Sequence, residues 1–458
     1  MLRKLRLATT GLLLSCAFLA SGRAQTADAQ GLPLPETYFP ELKGILETAV
    51  KQSPRMLLRN LDDIIAEQNR ISARSGQLPS ASGFLQYNPW QRDKRADLTH
   101  AAETQKLYYN FNINQPLFHW GALHSGTRIG ELQQMISTGQ TADAYRTLVL
   151  EIRSLYMQLV LKKALLARAQ LNVQIATDQL SVAQTKFEKK VISEGGMFMP
   201  RINHDQALLM ADRASEDFDS AKRAFSKLTG MSPLADSQIP DGFPAVTPST
   251  DALSGLLAGH VANRDLNSYS LENMRHQLEI EKLNYQVATT RLKPMLNMIL
   301  GTSQEEQSYT ANIAQKYKLQ STYAGVQVSW SIFDGFSTRS AKASALARQH
   351  QLEQNYADAV AGLSEQARSQ LKQLDFSARS MEISNRLLGS SEGNLHGRED
   401  DLRRGLASEA DVSGARLYHL DAELNAFNNR ADYLQRTSDF LSTILEDPAL
   451  ANLPKRTP

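Results

Sequence analysis

Side chains able to do chemistry are sparse in this sequence and stand apart from one another. His119, His124 and His204 sit singly near structural breaks, and no pair of histidines has the spacing of a zinc site. No glycine-rich phosphate loop follows a strand pattern, and no serine sits in a nucleophile elbow. Glu305-Glu306 falls in a polar stretch where adjacent carboxylates are simply solvated. The one cysteine, Cys16, lies in an N-terminal apolar run. Disulfide, zinc-ribbon and thiol-nucleophile chemistry therefore has no material in a mature chain. What remains is charge at two helix breaks: Lys189, Lys190 and Glu194 around one, and Arg403, Arg404, Glu409 and Asp411 around the other. Such groups hydrate or pair, and an exposed pair contributes about 0–1 kcal/mol. The pattern offers no catalytic, metal-binding or cofactor-binding residue, so function must rest on the elements that carry these charges.

The element that organises the chain is Tyr109-Asn-Phe-Asn-Ile-Asn-Gln-Pro-Leu-Phe-His-Trp-Gly121. Leu107, Tyr109, Phe111 and Ile113 alternate with Asn110, Asn112 and Asn114, which puts the apolar set on one side of a strand and the asparagines on the other. That is the pattern of a half-buried strand or of a membrane barrel stave. A second strand repeats it: Ala324, Val326, Val328, Trp330 and Ile332 alternate with Gly325, Gln327, Ser329 and Ser331. The two copies lie at a constant offset of 215 residues, which takes Pro79 to Pro294, Phe118 to Phe333, Arg153 to Arg368, Ser193-Glu194 to Ser408-Glu409 and Phe225 to Phe440. One unit is present twice, each too incomplete to bury its own faces.

The formal net charge is +2. Residues 1–24 carry Arg3, Lys4, Arg6 and Arg23 and no acid, so their removal leaves −2 and no electrostatic case for nucleic acid. These residues, with the run Leu12 to Ala20, read as a secretory signal. The rival reading is lipidation, since Leu13-Leu14-Ser15-Cys16 loosely matches a lipobox that would make Cys16 the acylated first residue. No later run is long and apolar enough for a spanning helix, so a membrane crossing would have to be a closed barrel.

A first repeat then fills 25–230. Its helix runs from about 40 to 77 with an interruption at Ser53-Pro54, and Leu57, Leu61, Ile64 or Ile65, Gln68 and Ile71 share one face. A strand follows at about 81–89, a charged loop at 90–106, and the returning strand at about 107–117. A very long helix spans about 121–187, with Leu148, Ile152, Leu155, Leu159, Lys162, Leu166, Ala169, Val173, Ala176, Leu180, Ala183 and Phe187 spaced by four and three. That period of 3.5 marks a coiled coil. The chain breaks at Val191–Gly196 and returns as a helix from Pro200 to about 229. A proline-rich linker at 231–250 precedes the second repeat at 251–447: a helix to 292, strands at about 295–302 and 322–333, a long helix at 336–400, and a last helix at 409–446. A flexible tail is expected over 448–458. The fold class is mostly α with a small β part, built as two tandem repeats of long antiparallel helical hairpins.

Pro116-Leu-Phe-His-Trp-Gly121 and Ile332-Phe-Asp-Gly-Phe336, together with the doubled order helix, strand, strand, long helix, return helix, resemble the TolC-like outer membrane efflux proteins. Their strand-to-helix junction reads Pro-Leu-Phe-Asp-Gly-Gly, matched here by Pro116, Phe118 and Gly121 and by Phe333, Asp334 and Gly335, with His119 and Trp120 in place of the usual Asp and Gly. The resemblance implies a homotrimer in which each chain lends four strands to one outer membrane barrel while the helices form a periplasmic tunnel. It implies a passive exit duct of a tripartite efflux or type I secretion system, partnered by a periplasmic adaptor (membrane fusion) protein and an inner-membrane pump or ABC transporter. Tyr109, Phe111, Ile113, Val326, Val328 and Trp330 would face lipid, and Asn110, Asn112, Asn114, Gln327 and Ser329 the lumen. The helix turns would form the closed periplasmic tip. There Gly405 matches the turn glycine and Asp411 an acid of the constricting ring, whereas Lys190 replaces the first turn's glycine and Gly196 its acid. Glu194 and Glu409 are the nearby acids, with Lys189, Lys190, Arg403 and Arg404 to pair with them or with neighbouring chains. The alternative is a secreted periplasmic coiled-coil scaffold whose strands form a small soluble sheet.

Overall fold

A computed structural model describes residues 32–93, 102–262, 268–308 and 316–453; the leader and Cys16 lie outside these. Short helices α1 (Pro35–Tyr38) and α2 (Pro40–Gln52) precede α3 (Pro54–Ser75). Proline at the first helical position of each supplies a preset φ where no amide is needed. Strands β1 (Ser80–Asp93) and β2 (Ala102–Phe118) follow, then α4 (Ala122–Glu188) and α5 (Glu194–Thr229). The second half gives α6 (Thr250–Ala262), α7 (Tyr269–Thr290), β3 (Met295–Ser308), β4 (Lys316–Ser329), α8 (Ser337–Arg403) and α9 (Glu409–Thr443). Lengths match across the halves: 22 residues in α3 and α7, 67 in α4 and α8, and 36 and 35 in α5 and α9.

The backbone repeats as closely as the lengths. Trp120, Gly121, Lys190 and Gly230 have positive φ, and so do Gly335, Phe336, Gly405 and Leu445, each 215 residues further on. In every pair one member is glycine and the other is not. A side chain in this region costs about 1–2 kcal/mol, so the fold imposes the geometry whichever residue occupies it.

The core lies where α2, α4, α5 and α9 meet, around Leu42, Leu46, Tyr145, Leu148, Ile152, Tyr156, Phe225, Tyr433 and Phe440. Along α4 the buried stripe Leu148, Ile152, Leu159, Ala169, Ala176, Ala183 keeps the four-three spacing and shrinks from leucine to alanine towards the turn. On α8 the buried positions Leu374, Ala378 and Met381 are joined by Ser377, Ser384 and Ser391, seven residues apart. Each serine hydroxyl donates to the carbonyl three residues back, which lets a polar side chain sit in the seam. The four strands form one antiparallel sheet in the order β1-β2-β3-β4, leaving β1 and β4 as its edges.

Several boundaries differ from those read in the sequence. Residues 90–93 and 102–106, expected in a loop, are strand; a register shift between Asn88 and Gln91 breaks the alternation before the ladder resumes. Residues 303–308 and 316–321 are strand as well, because ladder pairing continues through Gln304↔Gln320 and beyond without apolar side chains. Strand β4 stops at Ser329, so Trp330, Ile332 and Phe333 lie past its end. Helix α5 starts at Glu194 and carries Pro200 inside it. The helix expected over 251–292 is two helices, α6 and α7. The tail expected to be loose opens instead with a tight 3-10 turn at Pro448–Asn452, where the Asp447 side chain accepts from the Ala449 amide and the Tyr145 hydroxyl donates to the Ala449 carbonyl; residues 454–458 lie outside the described residues.

Candidate functional site

The charges singled out in the sequence sit at two turns built alike. In the first, the amides of Lys189, Lys190 and Val191 donate to the carbonyls of Thr185, Phe187 and Lys186 at 3.1, 2.8 and 2.8 Å. In the second, Arg404, Gly405 and Leu406 donate to Asp400, Leu402 and Asp401 at 3.1, 3.0 and 2.8 Å, the same bonds 215 residues on. This is the helix ending that calls for a left-handed residue, taken by Lys190 at φ +58° and by Gly405 at +75°.

The restart of the chain differs. Ser408 caps α9, accepting from the Asp411 amide at 3.2 Å, while its own amide donates to the Asp411 carboxylate at 2.9 Å and its hydroxyl at 2.7 Å. The Ser408 hydroxyl and amide hold the Asp411 carboxyl below its usual range. At α5 the equivalent position is Gly196, and Ser193 makes no side-chain cap. Arg403 pairs with Asp400 in its own helix rather than with Glu409. Glu194, Glu409, Lys189, Lys190 and Arg404 make no ion pair within the chain among the described residues. Val191 and Leu406, at the turns, are 68% and 75% exposed.

At the strand-to-helix junctions two successive left-handed residues reverse the chain, Trp120-Gly121 and Gly335-Phe336. Asp334 accepts from the Thr338 amide at 2.8 Å and from its hydroxyl at 2.5 Å, which lowers the pKa of its carboxyl and caps α8. The first junction has His119 there instead, its Nε2 lying 2.9 Å from Asn297 Oδ1. Trp120 and Trp330 donate their ring N–H groups to the carbonyls of Pro294 and Leu292, so both junctions grip the turn ahead of β3. Phe118 packs edge-on to Trp120 and Phe333 to Phe336.

The sheet brings its apolar residues together. Tyr87, Leu85 and Gly83 pair with Leu107, Tyr109 and Phe111; Phe111 and Ile113 pair with Thr302 and Leu300; Met298 and Leu296 pair with Val326 and Val328. All of these share one face. Asn110, Asn112, Asn114, Ser303, Gly301 and Gln327 share the other.

Sequence reasoning passed over two features. Arg153 is wholly buried; its Nε donates to Glu36 at 3.0 Å and its Nη2 to Asp447 at 2.9 Å, with a further bond to each. Burial opposes its charge, but Asp447 and Glu36 outweigh that and raise its pKa. The signal was a lone arginine beside the stripe residue Ile152. The second feature is the face of α3, where Leu57, Leu58, Leu61, Ile64, Ile65 and Ile71 are about half exposed or more.

Solved structures share this fold. The outer membrane protein VceC of Vibrio cholerae superimposes with a TM-score of 0.63 at 14% identity, covering 89% of this chain and 97% of its own. The CmeC outer membrane channel of Campylobacter jejuni gives 0.68 at 14%, covering 97% and 94%. The open state of the MtrE outer membrane channel of Neisseria gonorrhoeae gives 0.62 at 14%, covering 88% and 89%. No curated protein matches the chain by sequence. The sequence model of the outer membrane efflux proteins matches residues 46–191 and 264–440, which takes in both hairpins and all four strands. The chain belongs to the outer membrane efflux protein family.

Proposed function

We propose that this chain is one protomer of a trimeric duct through the outer membrane, passive in itself and doing no chemistry. The observation that carries the reading is a four-stranded sheet with one apolar face and two free edges. Four strands are too few to enclose a lumen, and open edges are not tolerated in lipid. Three copies close the ring. Tyr109, Phe111, Ile113, Val326 and Val328 then face lipid, with Trp330 at the rim, and the asparagine row lines the water-filled interior. The paired α4–α5 and α8–α9 hairpins continue the lumen into the periplasm. An adaptor protein and an inner-membrane pump or ABC transporter engage the tip and supply the energy.

The unpaired Glu194 and Glu409, with Asp411, form the acidic constriction at that tip, multiplied by threefold symmetry; Lys189, Lys190, Arg403 and Arg404 flank it. In planar bilayers the detergent-purified protein should give a trimer's mass and stepwise conductance. A monomer that needs no detergent and conducts nothing would overturn the duct in favour of a periplasmic scaffold. Replacing Glu194, Glu409 and Asp411 together by alanine should raise single-channel conductance; an unchanged value rejects the acidic constriction and leaves the duct standing.

A further inference from the structure

The seam inside one chain is a template for the seam between chains. Within the chain, β2 of the first half pairs with β3 of the second, and α4 of the first half packs on α7 of the second. Adding 215 to the first member and subtracting it from the second converts these into contacts of β4 and α8 with β1 and α3 of another copy. We propose that the neighbouring copy joins at this register, an inference that rests on the trimeric reading above.

On the strands, Phe111↔Thr302 becomes Val326 opposite Tyr87, Asn112↔Gly301 becomes Gln327 opposite Gln86, and Ile113↔Leu300 becomes Val328 opposite Leu85. Each pair matches the faces already fixed inside the chain: Tyr87 and Leu85 lie on the apolar face with Val326 and Val328, and Gln86 lies on the polar face with Gln327. A slip of one residue would set apolar side chains against polar ones throughout.

The helices give an independent line. In the internal seam Arg128 bonds Glu279 across α4 and α7 at 3.1 Å and Glu131 along α4 at 3.1 Å. The corresponding residues between copies are Ala343, Ile64 and Leu346. A polar trio inside the chain is thus an apolar trio between chains, and all three members are exposed in the single chain, Ile64 at 54% and Leu346 at 46%. The close approach of Asn273 to Gly139 likewise becomes Leu58, 64% exposed, against Gln354. This accounts for the bare face of α3, whose counterpart α7 is partly covered at Asn273, Glu279 and Ile280. A seam held covalently within one chain tolerates polar contacts, whereas a seam that must form by association needs apolar burial, worth about 25 cal/mol per Å².

Directly opposed residues on antiparallel strands lie about 4.5–5.5 Å apart, within disulfide reach. Mild oxidation of the full-length double variant Leu85→Cys with Val328→Cys should give a covalent trimer on a denaturing gel, and neither single variant should. Stronger linkage of Leu85→Cys to Val326→Cys or Trp330→Cys overturns the register but not the trimer. A wild-type protein that never forms a trimer overturns the trimeric reading itself. On the helices, Ile64→Glu should lower the temperature at which the trimer dissociates, and adding Ala343→Arg, which rebuilds the internal ion pair across the seam, should restore at least half of that loss. No restoration rejects the helical half of the proposal.

Discussion

Arg153 ties three distant parts of the chain: Glu36 in α1, its own position in α4, and Asp447 after α9. Its guanidinium forks onto both carboxylates, a geometry lysine cannot supply. Arg153→Met should lower stability by about 3–5 kcal/mol, because Asp447 stays buried without its partner. Arg368, its repeat counterpart, is exposed, and Arg368→Met should change stability by no more than about 0.5 kcal/mol. Thermal unfolding of the two variants checks the contrast. The repeat made Arg153 and Arg368 legible as equivalents, but their opposite environments were not, since Glu36 and Asp447 are far away in sequence. Asp411 carries a second expectation. Its pKa is lowered by the Ser408 hydroxyl and amide, so its cap is intact above the usual carboxylate range and is lost as pH falls through the lowered value. Acid should therefore speed amide exchange at residues 409–412, while 194–197, with Gly196 in place of the acid, should not respond through this route.

Among the elements, those with a sustained period were readable, and those interrupted by a local device were not. The 3.5 period of α4 and the alternation in β2 survive in the structure. A bulge hid the outer half of β1, and polar ladder ends hid the outer reach of β3 and β4. The apolar face of α3 was legible as a face, but not as one that the single chain leaves bare, because a periodic pattern specifies burial without naming the partner. Close packing of α3 on α4 depends on Gly130: a Cβ there would lie 2.6 Å from the Ala73 Cβ and 3.4 Å from the Arg70 Cα. Gly130→Ala should cost about 1–3 kcal/mol by forcing the helices apart. The equivalent pair in the second half, Ala345 and Ala288, is already alanine against alanine and buried, so the spacing of α7 and α8 sets the scale for what the first pair must become. Unfolding in guanidinium measures the cost.

For the molecule as a whole, the outer membrane is the setting, and the two faces of the sheet meet different solvents. A cation at the middle of the apolar face should be costly, about 2–4 kcal/mol for arginine at the bilayer midplane, whereas the opposite face tolerates charge. Val326→Arg should sharply reduce the yield of membrane-extracted trimer, and Gln327→Arg, one residue away, should not.

The equal lengths of α4 and α8 act as a pair of rulers. At about 1.5 Å per residue, 67 residues carry each turn about 100 Å from its junction, so the two tips end level. Losing one heptad from both arms of a single hairpin would keep that hairpin's own packing in phase yet leave its tip about 10 Å short of the other. Any change in reach must therefore be made twice, once in each half, for the chain to keep presenting one flat end to whatever docks there.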